Sequence, residues 1–348
     1  MKSKSRIQFV TTVSVIGIII ITSIFVISTP GAQAAAPTVT LKYAGFQPPT
    51  MQSEKIPRWW ASEVDKRTNG KLKVELFHGE TLGKIGDFPQ MLLSGVCDVS
   101  LLAAPPQQFP VYELFALPFV GHEDMTVSQQ AFYLALHNGL FKDLSPYKIL
   151  WRQPIAPTYL FLRNKKVNSL ADFKGLKLRA LGGLLTGLVD AMGATGVTIG
   201  AADLYTALER GTVDGMIGWP DMVTFAKQYE ILKYCAWEPI LGSAGFVVAM
   251  SQAKFDSLPV DIQLAIEQAS RAASLEYLNQ EYVTAGEFRA TLEKAGMQYY
   301  DLSSQERARW YEVGKKFNDQ IIAKKEAQGI PARKIADLFS RMRRIGKE

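Results

Sequence analysis

The 348-residue chain has two cysteines and three histidines, and that scarcity removes several classes of protein at once. Cys97 and Cys235 are far apart and each lies in apolar sequence, so no disulfide framework holds the fold; both read as free, buried thiols. His78, His122 and His137 lack metal-ligand spacing and read as exposed or capping residues, so neither a metal nor a cofactor is expected. No G-x-S-x-G elbow is present, because Gly242-Ser243-Ala244-Gly245 lacks both the spacing and a downstream histidine. Gly182-Gly183 and Gly187 are not followed by Lys-Ser/Thr, which rules out a Walker loop; they let the chain turn into a helix over 184–192. Without a nucleophile–base constellation, an enzyme is a poor fit.

Charge of one sign is lacking as well. Of the formal net charge of +6, three charges are Lys2, Lys4 and Arg6 at the start, which leaves about +3 for the rest. The other basic residues are dispersed, apart from Arg341, Arg343, Arg344 and Lys347, which read as a solvated helix face or tail. No nucleic-acid partner is expected. Long apolar runs are missing everywhere except residues 10–27. That run, the basic residues before it and Ala32-Gln33-Ala34 after it read as a secretory signal peptide over 1–34, removed on export. An uncleaved anchor is the alternative, since such a run just spans a bilayer. No lipobox cysteine follows it.

The remaining length exceeds one ordinary core and predicts two lobes. Residues 39–44 alternate as a strand does, a helix carrying Trp59 and Trp60 ends at Asn69-Gly70, and strands follow over 72–77 and 96–102. Strands alternating with helices predict an α/β fold around a largely parallel sheet. One module occurs twice: Asp87-x4-Leu92-x2-Gly95-x2-Asp98 is matched by Asp203-x4-Leu208-x2-Gly211-x2-Asp214, and Ala104-Pro105 and Trp219-Pro220 follow. It reads as helix, glycine C-cap, short turn and buried strand, one unit in each lobe, with a ligand cleft between them. The last third is helical. Residues 259–294 make a helix long enough to cross between lobes, Ser303-x-x-Glu306 caps the next, and a short amphipathic helix runs over 332–342.

The residue with the clearest chemistry is Arg179, which closes the run 175–179. A guanidinium at a strand end presents a fixed fork of donors that fits a carboxylate bidentately. From Asn168 onward, Asn-Ser-Leu-Ala-Asp-Phe-Lys-Gly-Leu-Lys-Leu-Arg179 and then Ala202-Asp-Leu-Tyr-Thr-Ala-Leu-Glu-Arg-Gly-Thr-Val-Asp-Gly215 resemble the DctP-type solute-binding proteins of TRAP (tripartite ATP-independent periplasmic) transporters. Arg67 to Leu76, Leu82-Gly83, Leu117-Pro118-Phe119 and Ser257 to Gln263 are similar landmarks, so the resemblance covers essentially the whole chain after the signal.

That resemblance implies a periplasmic-binding-protein fold: two α/β lobes with mixed sheets flanked by helices, braced by a long C-terminal helix. The lobes are expected at 35–156 plus 246–285 and at 157–245 plus 286–348. It also implies a periplasmic, monomeric receptor that closes on a small organic acid and hands it to the small and large membrane permease subunits. A receptor reporting to a sensor kinase would share the same fold, and a secreted hydrolase or lyase is the remaining alternative. The family's carboxylate-binding arginine falls on Arg179. A second arginine common in dicarboxylate and sialic-acid binders falls near Tyr159, family polar contacts fall near Leu102 and Ala103, and a usual asparagine falls near Gly218, beside Trp219. The expected ligand is therefore a monocarboxylate with an apolar or aromatic body, with a C4-dicarboxylate as the alternative. Arg179 would clamp it, Trp219 and Tyr159 would pack on its body, Phe46 would cover it from the other lobe, and Gly218 and Ala103 would line it.

Overall fold

Leu41 and Tyr43 turn inward and Thr40 and Lys42 outward along β1 (Val39–Ala44), the first strand of the computed structural model, which describes residues 38–102, 109–121, 123–180, 182–241 and 245–343. After it come α1 (Lys55–Arg67), β2 (Leu72–Phe77), α2 (Phe88–Ser94), β3 (Val99–Leu102), α3 (Met125–His137) and β4 (Tyr147–Pro154). The next stretch holds β5 (Thr158–Leu162), β6 (Lys177–Arg179), α4 (Gly183–Ala191), β7 (Thr195–Val197), α5 (Ala201–Glu209), β8 (Gly215–Gly218), α6 (Pro220–Phe225) and β9 (Tyr234–Leu241). The chain closes with β10 (Gly245–Ser251), α7 (Gln252–Asp256), α8 (Val260–Lys294), β11 (Gln298–Tyr300), α9 (Ser304–Glu326) and α10 (Ala332–Arg343).

Two mixed sheets result. Five strands lie in the order β2-β1-β3-β10-β4, with β10 antiparallel to both neighbours; six lie in the order β11-β9-β5-β8-β6-β7, with β5 antiparallel to both of its own. The chain passes from one sheet to the other between β4 and β5 and returns between β9 and β10. Pro37–Glu348 forms one compact unit. The signal peptide read over 1–34 lies outside the described residues. No helix among the described residues is long and apolar enough to cross a membrane.

The repeated module has the same chemistry in both sheets. Gly95 and Gly211 each take a left-handed backbone, φ +76° and +74°, which a glycine adopts without a Cβ clash as a helix ends. Three residues on, Asp98 accepts the Lys42 N–H at 2.8 Å and returns its own N–H to Lys42 O at 2.9 Å. Asp214 does the same with Lys177, at 2.8 and 2.7 Å. Each aspartate therefore pins its strand to the neighbouring one. Val96 and Cys97 still donate their N–H groups to Met91 O of the preceding helix, at 3.0 and 3.4 Å, so β3 starts at Val99 rather than at 96 as the sequence predicts.

Helix α8 is 35 residues long and continues through Gly286. Ile262, Ile266, Ala269 and Tyr277 pack with the first sheet's residues, and Leu292 packs with the second's. The Trp60 indole donates to Ser270 Oγ at 3.0 Å, fixing α1 on this helix. The C-terminal α10 buries Ile335, Ala336 and Phe339 in the cluster around Phe115 and Phe141, which also holds Leu102 and Val247 of the first sheet. The end of the span that the sequence places with the second lobe therefore packs beside the first sheet. Hydrophobic periodicity gives α10 its apolar face but not the partner for that face.

Candidate functional site

Strand β6 has only three residues, and alternation decides its chemistry. Leu178 enters the core shared with Leu160 and Ile217, so Arg179 must turn to the opposite face of the sheet. There Arg179 is 1% exposed. Its Nε donates to Ile199 O at 3.1 Å, and Nη1 lies 3.7 Å from the Met222 thioether. Among the described residues no carboxylate pairs with it. Burial lowers its pKa to about 10, so it remains cationic at neutral pH.

Next to Arg179 across the sheet is Met216 of β8, and two residues further along that strand is Gly218, paired with Tyr159 of β5. Gly218 is buried beneath methionine side chains: a Cβ there would lie 2.3 Å from Met216 Cε and 3.7 Å from Met222 Sδ. Tyr159 stacks flat on Trp237, with centroids 4.2 Å apart and planes 7° from parallel. Trp237 meets Tyr299 edge-on at 5.1 Å, and the Arg289 guanidinium carbon lies 4.3 Å over the Trp237 ring. Burial raises the Tyr159 pKa and keeps its hydroxyl protonated. This sheet face therefore carries a buried cation flanked by thioethers and a clamped aromatic stack.

Of the residues singled out from sequence, Arg179, Tyr159 and Gly218 share this face of the second sheet. Trp219 follows directly as the half-buried N-cap of α6. Phe46 belongs to the first sheet's side, half-buried and edge-on to Phe246 at 6.2 Å. Ala103 lies outside the described residues, while its neighbour Leu102 is fully buried. Sequence reading missed Trp237, Tyr299, Arg289 and both methionines. The pairing of β5 with β9 shifts register after Thr158, and residue spacing gives no sign of that irregularity. It also missed Arg152 of β4, 0% exposed, with Nη2 donating to Ser128 Oγ at 3.1 Å and its guanidinium 4.8 Å over Phe115.

Two carboxyls sit where α6 meets α8. Burial raises Glu281 to about 8, with Asp221 adding to the effect, and raises Asp221 to about 7 against an opposing backbone N–H from Met222. On the first sheet's side Glu54, 3% exposed, is raised to about 7 and meets His78 Nδ1 at 2.9 Å. His78 is thus engaged in a largely buried pair, not simply exposed as the sequence suggests. Cys97 and Cys235 are both free and buried. Among the described residues no three His, Cys, Asp or Glu side chains gather as a metal site would require.

The profile of the bacterial extracellular solute-binding proteins, family 7 (DctP), matches residues 46–325. The C4-dicarboxylate-binding periplasmic protein DctP of Rhodobacter capsulatus is 25% identical over 318 residues, covering 87% of this chain and 92% of that protein. Among solved structures, a TRAP solute-binding protein of an unidentified marine microbe, specific for aromatic acids and holding 3-hydroxybenzoate, is similar at 25% identity. It aligns with a TM-score of 0.80 over 90% of this chain and 100% of that one. A TRAP solute-binding protein of Rhodoferax ferrireducens, holding benzoate, has the same fold at 22% identity and a TM-score of 0.75, covering 88% of this chain and 97% of that one.

Proposed function

Because this chain belongs to family 7 of the bacterial extracellular solute-binding proteins, the DctP family, we propose that it is a TRAP-type periplasmic receptor. It captures a monocarboxylate with an aromatic body and delivers it to the membrane permease subunits. The observation that carries the ligand class is the Arg179 environment: a buried guanidinium with Met222, Met216 and Gly218 around it, and Tyr159 stacked on Trp237 on the same face. Water reaches little of that cation, so a carboxylate meeting it forms charge-assisted hydrogen bonds in a poorly screened setting. Flat aromatic and polarisable thioether surfaces suit a ring better than a second charge. The aromatic-acid specificity of the marine relative agrees with this reading.

In the proposed complex Arg179 holds the carboxylate, Tyr159 and Trp219 pack on the ligand body, Gly218 lets the Met216 methyl lie close against the strand beneath it, and Phe46 faces it from the other lobe. Contact with both lobes would favour the closed form, because only a difference in affinity shifts that balance. The Rhodobacter relative's name favours a dicarboxylate instead, so the experiment sets the two readings against each other. Thermal unfolding is followed with 3-hydroxybenzoate, benzoate and succinate. A ligand at a hundred times its Kd adds about 2.7 kcal/mol to the folded state. The expected result is a raised melting temperature with the aromatic acids and none with succinate; a rise with succinate alone would overturn the ligand class.

A further inference from the structure

Between the two sheets the chain carries a backbone outlier. Phe119 has φ +59°, in the left-handed region that a bulky side chain enters only under constraint. The constraints come from the second sheet's side. The Phe119 N–H donates to Ile240 O of β9 at 2.8 Å, and the preceding carbonyl, Pro118 O, accepts from Asn318 Nδ2 of α9 at 2.7 Å. The ring is buried in the cluster with Leu160, Leu178 and Trp310, its centroid 4.8 Å from Tyr311. A missing side chain shapes its seat: a Cβ on Gly314 would lie 2.2 Å from Phe119 Cδ2. Two residues earlier, Leu117 is buried in the other cluster, with Phe115 and Phe132.

The chain thus steps from one core into the other within three residues, and the strained φ directs the ring into the second. Strain of this kind persists only where the surroundings over-determine it, and it concentrates at switch and clamp positions.

We propose that Phe119 is a positioning residue for lobe motion: a plug carried by the first lobe's segment and seated in the second lobe, which fixes the resting angle between lobes. Closure would then pivot on this anchor, with the connections β4–β5 and β9–β10 bending around it. This rests on the two-lobed receptor reading but on no particular ligand.

The test measures the interlobe distance in the ligand-free protein, by electron–electron resonance between spin labels on Glu75→Cys and Lys174→Cys. Both positions are exposed, whereas Cys97 and Cys235 are buried and do not compete for label. Gly314→Ala blocks the seat and keeps the ring; Phe119→Gly keeps the backbone angle without strain and removes the ring. Each is expected to shift the distribution or roughly double its width, while Phe119→Leu, which keeps much of the plug, stays near the parent. Asn318→Ala removes only the bond to Pro118 O and is expected to broaden the distribution to a smaller extent; it serves if Gly314→Ala does not fold. Distributions that overlay the parent's in the folded variants would overturn the proposal, and so would a lowered melting temperature with unchanged distances, which would mark Phe119 as ordinary packing. No ligand enters the measurement, so failure of the organic-acid reading and failure of this one are distinguishable.

Discussion

Replacing Arg179 by methionine separates what the residue does for folding from what it does for binding. Burial holds its pKa down at about 10, which corresponds to on the order of 3 kcal/mol of unfavourable charge burial. The charged hydrogen bond to Ile199 O, at 3.1 Å, returns about 1.5–3 kcal/mol. The two nearly cancel, so Arg179→Met is expected to change stability by no more than about 1–2 kcal/mol. Binding responds differently. A carboxylate that loses its buried partner loses about 3–5 kcal/mol, and at about 1.4 kcal/mol per tenfold this weakens Kd at least a hundredfold. Arg179→Lys is also expected to bind poorly, because an ammonium cannot reproduce the fork. The assay pairs calorimetric titration of the acid that most raises the parent's melting temperature with urea unfolding of each variant. Parent-like affinity in Arg179→Met would refute the carboxylate assignment. A large loss of stability would show instead that the guanidinium is a structural strut.

Two further predictions concern the fold itself. Glu54, Asp221 and Glu281 keep their protons to about pH 7, 7 and 8 in the folded state, chiefly through burial, whereas unfolded carboxyls release theirs near pH 4–5. Their contribution is full below the unfolded value and is lost as pH rises through 7 to 8. His78, whose pKa burial lowers, works weakly in the other direction. The urea midpoint is therefore expected to be lower at pH 8.5 than at pH 5, with Glu281→Gln flattening the difference; a midpoint that rises with pH would contradict the protonated assignments. Among the glycines of β8, a Cβ at Gly215 would lie 2.2 Å from the Phe161 backbone oxygen, while one at Gly218 meets the movable Met216 methyl. Gly215→Ala is expected to cost roughly 1–3 kcal/mol and Gly218→Ala little; equal melting temperatures for the two would show that the strand shifts freely.

Much of the molecule was legible in the sequence because the signals are local. A glycine forced to positive φ, an aspartate three residues on and a strand of alternating side chains identified the paired modules around Gly95 and Gly211. Their backbone bonds to Lys42 and Lys177 are the reason that pattern occurs twice. A guanidinium at a strand end and the family resemblance singled out Arg179. The same resemblance also singled out Tyr159, Trp219 and Gly218.

What surrounds that arginine was decided by tertiary structure alone. The strand order β9-β5-β8-β6 and the irregular pairing after Thr158 bring Trp237 onto Tyr159; the turn of α6 brings Met222 to the guanidinium; and the far half of α8 lays Arg289 over Trp237. The strained Phe119 and the packing of α10 beside the first sheet belong to the same category. Periodicity and turn chemistry fix which way a side chain points, because they act within a few residues. Which side chains meet depends on strand order, register and helix docking, and those are set by how the two cores close around residues far apart in the chain.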